Sequence, residues 1–570
     1  MKKTALVLFL SYISICGYAQ KKQSFIDQLN KSNPWVDSVY NSLSNKEKLG
    51  QLFMLRAHSD KGKEYADKVA KQIKDNQVGG LVFFQGGPVR QAILTNQYQK
   101  LVPVPLMIAM DAEWGLGMRL DSTISYPYQM TLGAIQNNQL LYKMGEQVAK
   151  DFKRIGMQMN FAPVVDINNN PNNPVINYRS FGENKYNVAD KGVAYMKGMQ
   201  DNGIFTTAKH FPGHGDTDVD SHYDLPQIPF SKARLDTLEM FPFKKLMANG
   251  ATGVMVGHMN IPALDPTPNL SSSLSRPIVT GILKNDFGFK GLVVSDAMEM
   301  KGAIKYFPNG QADVKALFAG LDVIELSEDT ERAIKMLKKA IRHKEIPAKE
   351  VEAKIKKVLA AKYWMGLNNL EEVNLANLYQ DLNRAESKNL IQQLADASVT
   401  VLKSTSAFPL RNDFVRKTVI LNIGSGSNTT FSNTLKKIKP GATVINIPKN
   451  INEVELGIIR NNMKPYDQII MAIIDNRLRP AGKLDFSSHL LQFVSEFSTK
   501  NTITALFANP YTITEIPGFE RSASVIIGYQ NLPEIQLSAA KVILGAHKAS
   551  GKLPVSINAF FKYGDGIQMK

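Results

Sequence analysis

One recurrence constrains this chain more than anything else: a short apolar run followed by a stretch of helical spacing, repeated eight times between residues 52 and 326. The runs fall at 52–55, 80–84, 106–110, 159–165, 204–208, 253–257, 292–295 and 323–326. Each is too short for a helix and is bounded by turn residues, so each reads as a buried strand. The segments between, such as 63–77, 138–155, 188–202, 232–249 and 312–319, have helical spacing and lack internal proline except Pro242. Eight alternations over about 300 residues predict a (β/α)8 barrel of the TIM type. Polar residues stand where these strands end: Asp111 and Glu113, Asp166, Lys209 and His210, His258, Asp296, then Glu328 and Asp329. A barrel would ring one mouth with all of them, whereas a doubly wound sheet rarely draws function from so many strands at once.

Helical patterns at 330–342 and 348–365 close this region, and an Asn-rich stretch follows at 368–374. Apolar runs then return at 399–402, 419–422, 444–447, 469–474, 502–506 and 524–527, which predicts a smaller α/β domain, an open sheet sandwiched by helices. The expected division is a signal peptide at 1–19, a barrel domain at 20–370, a linker at 371–395 and an α/β sandwich at 396–570. Gly424-Ser425-Gly426-Ser427 lacks the Gly-Lys-Ser/Thr of a phosphate-binding loop and reads as a turn.

Composition narrows the setting. Lys2 and Lys3, an apolar core at 5–15 and the small-x-small Gly17-Tyr18-Ala19 form a secretory signal, so a periplasmic or secreted protein is expected. The single cysteine, Cys16, would suit a lipid anchor, but the bulky Ile15 before it disfavours one. Cleavage after Ala19 leaves no thiol for a disulfide, a metal or a nucleophile. No other segment approaches the roughly 20 apolar residues of a membrane span. The formal charge of +17 comes from Lys and Arg spread along helical segments such as 61–74 and 335–357, without an aromatic-basic module. That pattern argues for solvated helix faces, with no nucleic-acid partner and at most weak association with anionic envelope polymers; a monomer is expected.

The chemistry concentrates in residues 209–222, KHFPGHGDTDVDSH, which hold three of the eight histidines together with Asp216, Asp218 and Asp220. The apolar run at 204–208 places the start of this stretch at a strand end, continuing as a loop. A metal site of His210, His214 and His222 is weighed and set aside, because His-x-x-x-His here crosses Phe-Pro-Gly and cannot be helical. No metal or cofactor is expected; Lys209, His210 and His214 would bind ligand hydroxyls or hold the loop. In Asp220-Ser221-His222 a carboxylate can accept the imidazole N–H within one turn, which suits a proton shuttle as well as an exposed salt bridge. Asp296, fixed directly after a buried strand, reads as a nucleophile or as a helix N-cap.

Residues 209–226, KHFPGHGDTDVDSHYDLP, resemble the signature of glycoside hydrolase family 3 in its β-N-acetylglucosaminidase branch. Val294-Ser-Asp-Ala-Met and Asn177-Tyr-Arg-Ser-Phe-Gly agree independently, and the resemblance spans 47–365 and extends more weakly to Gly551-Lys-Leu-Pro-Val-Ser-Ile. It implies that Asp296 is the nucleophile and His222 the general acid/base with Asp220 as its partner. It further implies that Asp111, Arg119, Arg179, Lys209 and His210 hold the sugar, with His214 beside them. The implied activity is a retaining exo-β-N-acetylglucosaminidase acting on β-linked N-acetylglucosamine in peptidoglycan-derived or related glycans. One departure is visible: Trp114, in Asp111-Ala-Glu-Trp-Gly-Leu-Gly, stands where the family pattern has glycine, which reshapes the pocket. A neutral His222 base would also admit an anionic acceptor, so phosphorolysis remains an alternative, as does a non-catalytic glycan-binding barrel. The glycines in the loop suggest that it swings His222 into and out of the cleft.

Overall fold

A computed structural model describes residues 23–404, 410 and 416–568. The expected signal at 1–19, with Cys16, lies outside the described residues. Eight strands form the first sheet: β1 (Phe53–Ala57), β2 (Gly80–Phe83), β3 (Met107–Met110), β4 (Met159–Asn160), β5 (Phe205–Phe211), β6 (Gly253–Val256), β7 (Leu292–Ser295) and β8 (Ile324–Glu325). Their order is β7-β6-β5-β4-β3-β2-β1-β8, with every pair parallel. β8 lies beside β1 through Phe53–Ile324 and Met54–Glu325, and a bridge between Val294 and Val323 brings β7 against the start of β8. The ring is therefore closed, and the carboxyl ends of all its strands meet at one mouth.

The crossover helices follow the expected spacing, with one informative break. The helix expected at 232–249 is two helices, Lys232–Thr237 and Phe241–Ala248. Pro242 sits in the first turn of the second, where its missing N–H costs no hydrogen bond. Helices Gln139–Arg154 and Lys185–Asp201 cross closely, because a Cβ on Gly198 would lie 2.1 Å from the Tyr142 carbonyl oxygen.

Two strands differ from expectation. β4 is regular only over Met159–Asn160, since Pro163 has no N–H to give, although its carbonyl still accepts from the Lys209 N–H at 3.1 Å. β5 runs on through Phe211, so Lys209 and His210 lie inside the strand, where a loop start was expected. The register between β5 and β6 slips between Ala208 and Phe211, and that irregularity turns these two polar side chains towards the mouth.

The second sheet comprises β9 (Thr400–Lys403), β10 (Thr418–Ile423), β11 (Thr443–Ile447), β12 (Gln468–Ile474), β13 (Thr502–Phe507) and β14 (Ser524–Ile527). Its order is β11-β10-β12-β13-β14-β9, parallel except for β9 against β14. The stretch 371–395 carries helix Leu378–Leu382 and most of helix Ala385–Ser398. Ion pairs Arg154–Asp381 at 2.7 Å and Arg384–Asp151 at 2.8 Å hold these against the barrel. Near the C-terminus, the Glu183 N–H donates to the Pro554 carbonyl at 3.1 Å, and the Ser556 hydroxyl donates to Glu183 at 2.6 Å. These ties set the second sheet beside the barrel mouth.

Candidate active site

A cleft of about 1240 Å³ occupies the mouth of the barrel. Its floor is built from strand ends and includes Asp111, Glu113, Arg119, Arg179, Lys209, His210, Asp296 and Glu325. Its far wall is the loop 475–483 that follows β12, with Leu478 largely exposed and Arg479 and Lys483 among its cations.

The floor is a ladder of buried charge. Lys209, 1% exposed, reaches Asp111 at 2.8 Å and Glu113 at 2.9 Å. Arg119 holds the other oxygen of Asp111 at 2.8 Å, and Arg179 grips Glu113 with two bonds of 3.0 and 2.7 Å. Burial would raise Glu113, but Arg179 and Lys209 hold its carboxyl down at about 2. Asp111 is likewise held well below the carboxylate range against burial by Lys209 and Arg119. Buried charges survive only when paired in this way. What the ladder offers a ligand is a fixed set of anionic acceptors and cationic donors, which is how hydroxyl-rich molecules are recognised.

Asp166 organises the next layer. It accepts from His210 Nδ1 at 2.7 Å and from the backbone N–H of His214 at 2.7 Å. The first bond makes Nδ1 the protonated nitrogen of His210 and orients its ring over the cleft. Asp296, at the end of β7, is half-buried, and its Oδ1 accepts from the Ala297 N–H at 2.8 Å. Burial pushes its carboxyl up, yet His210, His258, that N–H and Lys209 outweigh it, and the group is held below the ordinary value. An ionised carboxylate, fixed by a strand and open to the cleft, has the properties of a nucleophile. His258, buried beneath it, bonds Ser273 at 2.7 Å and the Ala297 carbonyl at 3.1 Å.

At the outer end of the same stretch, His222 and Asp220 line the cleft as an exposed pair. His222 Nδ1 lies 2.7 Å from Asp220 Oδ1, and the His222 backbone N–H donates to the same oxygen at 2.9 Å. The carboxylate takes Nδ1–H, so Nε2 is the nitrogen that can gain and lose a proton. The loop is tied down by the Gly302 N–H donating to the Ser221 carbonyl at 3.1 Å and by Lys305 on Asp224 at 2.7 Å.

His214, expected to bind ligand hydroxyls or to hold the loop, lines the cleft and spends both ring nitrogens within its own loop, on Thr217 at 2.9 Å and Ser221 at 3.2 Å. Burial lowers it to about 4, so it is a neutral brace. The loop glycines also have a reason other than motion: a Cβ on Gly215 would lie 1.8 Å from the Ile167 carbonyl oxygen. Trp114 fills the wall by packing on Tyr128, with centroids 4.7 Å apart, and the Tyr128 hydroxyl donates to the Leu478 carbonyl at 2.8 Å. Trp114 thus braces the tyrosine that joins the barrel to the loop 475–483. Among the described residues no group of three His, Cys, Asp or Glu side chains is arranged to hold a metal ion.

Glu113 and Asp166 were legible as strand-end residues but not as the anchors they are. The actual residues after β8 also differ from expectation: Asp329 caps helix Thr330–Arg342, accepting from the Arg332 N–H, and Glu328 accepts from the Asn309 N–H. The residue that does enter the cleft is Glu325, one strand position inside the run. Nothing in the spacing marked the loop 475–483, because it reaches the mouth only through tertiary packing.

Comparison with known proteins agrees with this geometry. Residues 44–361 match the model of the glycosyl hydrolase family 3 N-terminal domain. The chain is similar to β-hexosaminidase A of Pseudoalteromonas piscicida, 26% identical over 554 residues, covering 86% of this chain and 91% of the relative. It is 30% identical over 337 residues to β-hexosaminidase LpqI of Mycobacterium tuberculosis, covering 56% of this chain and 83% of that protein. Among solved structures, a family 3 β-N-acetylglucosaminidase from Paenibacillus sp. str. FPU-7 superposes with a TM-score of 0.77 at 29% identity, over 91% of this chain and 99% of the other. A closed barrel with its ion ladder at the mouth, a second sheet forming the far wall, and these likenesses lead to one conclusion: the chain belongs to glycosyl hydrolase family 3 and is a glycoside hydrolase.

Proposed function

We propose that the protein is a retaining exo-β-N-acetylglucosaminidase that forms a covalent glycosyl-enzyme on Asp296 and moves protons with the Asp220–His222 dyad. The observation that carries this reading is that an ionised, strand-fixed Asp296 and an Asp-bound imidazole line one cleft above a ladder suited to sugar hydroxyls. Asp296 attacks the anomeric carbon while His222 Nε2–H gives its proton to the departing glycosidic oxygen. Neutral His222 then takes a proton from water, the water oxygen displaces Asp296, and two inversions return the original configuration. Asp111, Arg119, Arg179, Lys209 and His210 hold the sugar, and contacts that tighten in the transition state lower the barrier.

The hexosamine preference rests on similarity to relatives named β-hexosaminidases. Arg479 and Lys483 on the far wall of the cleft favour carboxylate-bearing glycans such as peptidoglycan fragments, met outside the cytoplasm if residues 1–19 act as an export signal. The test is release of aryl alcohol from an aryl N-acetyl-β-glucosaminide. Asp296→Ala abolishes it, and near-normal turnover in that variant would refute the nucleophile. Product analysis in phosphate buffer separates the alternative chemistry: free N-acetylglucosamine supports hydrolysis, and a sugar 1-phosphate as the main product replaces it with phosphorolysis.

A further inference from the structure

Every ionisable group on the cleft floor described above has a partner except one. Glu325, the last residue of β8, is 2% exposed, lines the cleft, and has an Oε2 that is buried with no hydrogen-bond partner. Its main chain is fixed on both sides: its N–H donates to the Ser295 hydroxyl at 2.8 Å, and its carbonyl accepts from the Met298 N–H at 2.9 Å. The side chain therefore has little freedom to escape to water. A buried polar atom left unsatisfied is destabilising, so a cleft residue in that condition is waiting for a ligand.

The charged groups around it come from four other positions on the barrel. Asp111 after β3 and Asp296 after β7 repel a second negative charge; Lys209 on β5 and Arg56 on β1 favour one. Lys209 is already shared between Asp111 and Glu113, and Arg56 is paired with Glu299 at the rim. Burial and the two aspartates win, and the Glu325 carboxyl is raised well above its ordinary value. That favours the neutral acid, whose O–H is a donor. That is complementary to its neighbours, because a sugar hydroxyl that donates to an ionised aspartate still has lone pairs that need a donor. A neutral carboxylic acid supplies one without adding charge beside the nucleophile.

We propose that Glu325 is a specificity-determining sugar contact whose carboxyl group donates a hydrogen bond to an oxygen of the pyranose bound between Asp111 and Asp296. This rests on the sugar-binding reading of the cleft given above. It assigns to β8 a contact that the strand-end pattern did not reveal, and it makes affinity for an uncharged sugar depend on a proton held by the enzyme.

The test is calorimetric binding of free N-acetylglucosamine to the full chain from about pH 5 to about pH 10. Wild type is expected to bind about tenfold more weakly at the alkaline end, as the donor is lost and a further anion appears beside Asp111 and Asp296. Glu325→Gln, isosteric and permanently neutral, stays within about threefold of wild type at neutral pH and lacks the alkaline loss. Glu325→Leu binds about tenfold or more weakly throughout, with its circular dichroism and melting transition showing whether it folds. Leu binding as tightly as wild type, or Gln and wild type sharing one pH profile, overturns the proposal. The proposed function fails separately, by absence of sugar binding and turnover in the wild-type protein; failure of the Glu325 assignment leaves both intact.

Discussion

The two ends of residues 209–222 are built on opposite principles. At the inner end, Lys209 is almost wholly buried in a strand and locked to Asp111 and Glu113. At the outer end, the His222 side chain is 60% exposed and holds one carboxylate, Asp220. The inner end is bound into the fold of the barrel, so its geometry is as fixed as the core. The outer end is secured by loop contacts and can exchange protons with water. Holding a sugar demands the first arrangement and shuttling protons the second, and a single stretch of chain supplies both by leaving the strand after Phe211.

Substitutions at the two ends should therefore fail differently. The largest effect belongs to neither end but to the carboxylate they jointly serve: Asp296→Asn is expected to lose at least about a thousandfold in kcat with the melting temperature nearly unchanged. A variant that keeps turnover would remove the division of labour altogether. Next comes Lys209→Met, which leaves Asp111 and Glu113 buried without their shared cation and should cost about 3–5 kcal/mol in stability as well as activity. Denaturant unfolding checks it, and loss of activity alone would mean that the ladder is not structural.

The pH dependence of stability sharpens the same contrast. Glu113 is held at about 2 against an ordinary 4.5, a depressed carboxylate. Its stabilisation, on the order of 3 kcal/mol, is complete above the ordinary value and drains away as pH falls through that range towards 2. Arg179→Met should lower stability near neutrality and flatten that part of the acid limb, whereas His222→Ala should leave the unfolding profile unchanged. A His222 variant that shifts the profile as Arg179→Met does would break the comparison.

Much of this was legible in the sequence. The eight strands, the second α/β sheet and the residues at strand ends follow from short apolar runs and from the rule that barrel chemistry collects at carboxyl ends. The errors share one physical origin. Lys209 and His210 looked like the start of a loop because charged residues are rarely buried, and only Asp111, Glu113 and Asp166, distant in sequence, make their burial tolerable. Glu325 escaped notice for the complementary reason: it lies within an apolar run, and the exposed Glu328 and Asp329 after it were the more obvious candidates. For His214 the two roles, ligand contact or loop brace, stayed open, since spacing cannot reveal that Thr217 and Ser221 occupy its nitrogens.

Smaller effects belong to the outer end. His222→Ala should slow poor leaving groups far more than activated aryl ones, which need little protonation; equal losses on both would deny the acid role. Lys305→Ala, which frees Asp224 beside the dyad, should change kcat by less than about threefold and leave the melting temperature alone, because an exposed pair contributes little.

The most direct test of the central claim joins both ends of the stretch. In His222→Ala, an activated aryl N-acetyl-β-glucosaminide should still glycosylate the enzyme, while the water that would release it lacks its base. Mass spectrometry of the digested protein after mixing should find one N-acetylhexosamine on the peptide that carries Asp296. A sugar attached to any other residue, or rapid turnover with no adduct, would contradict the account.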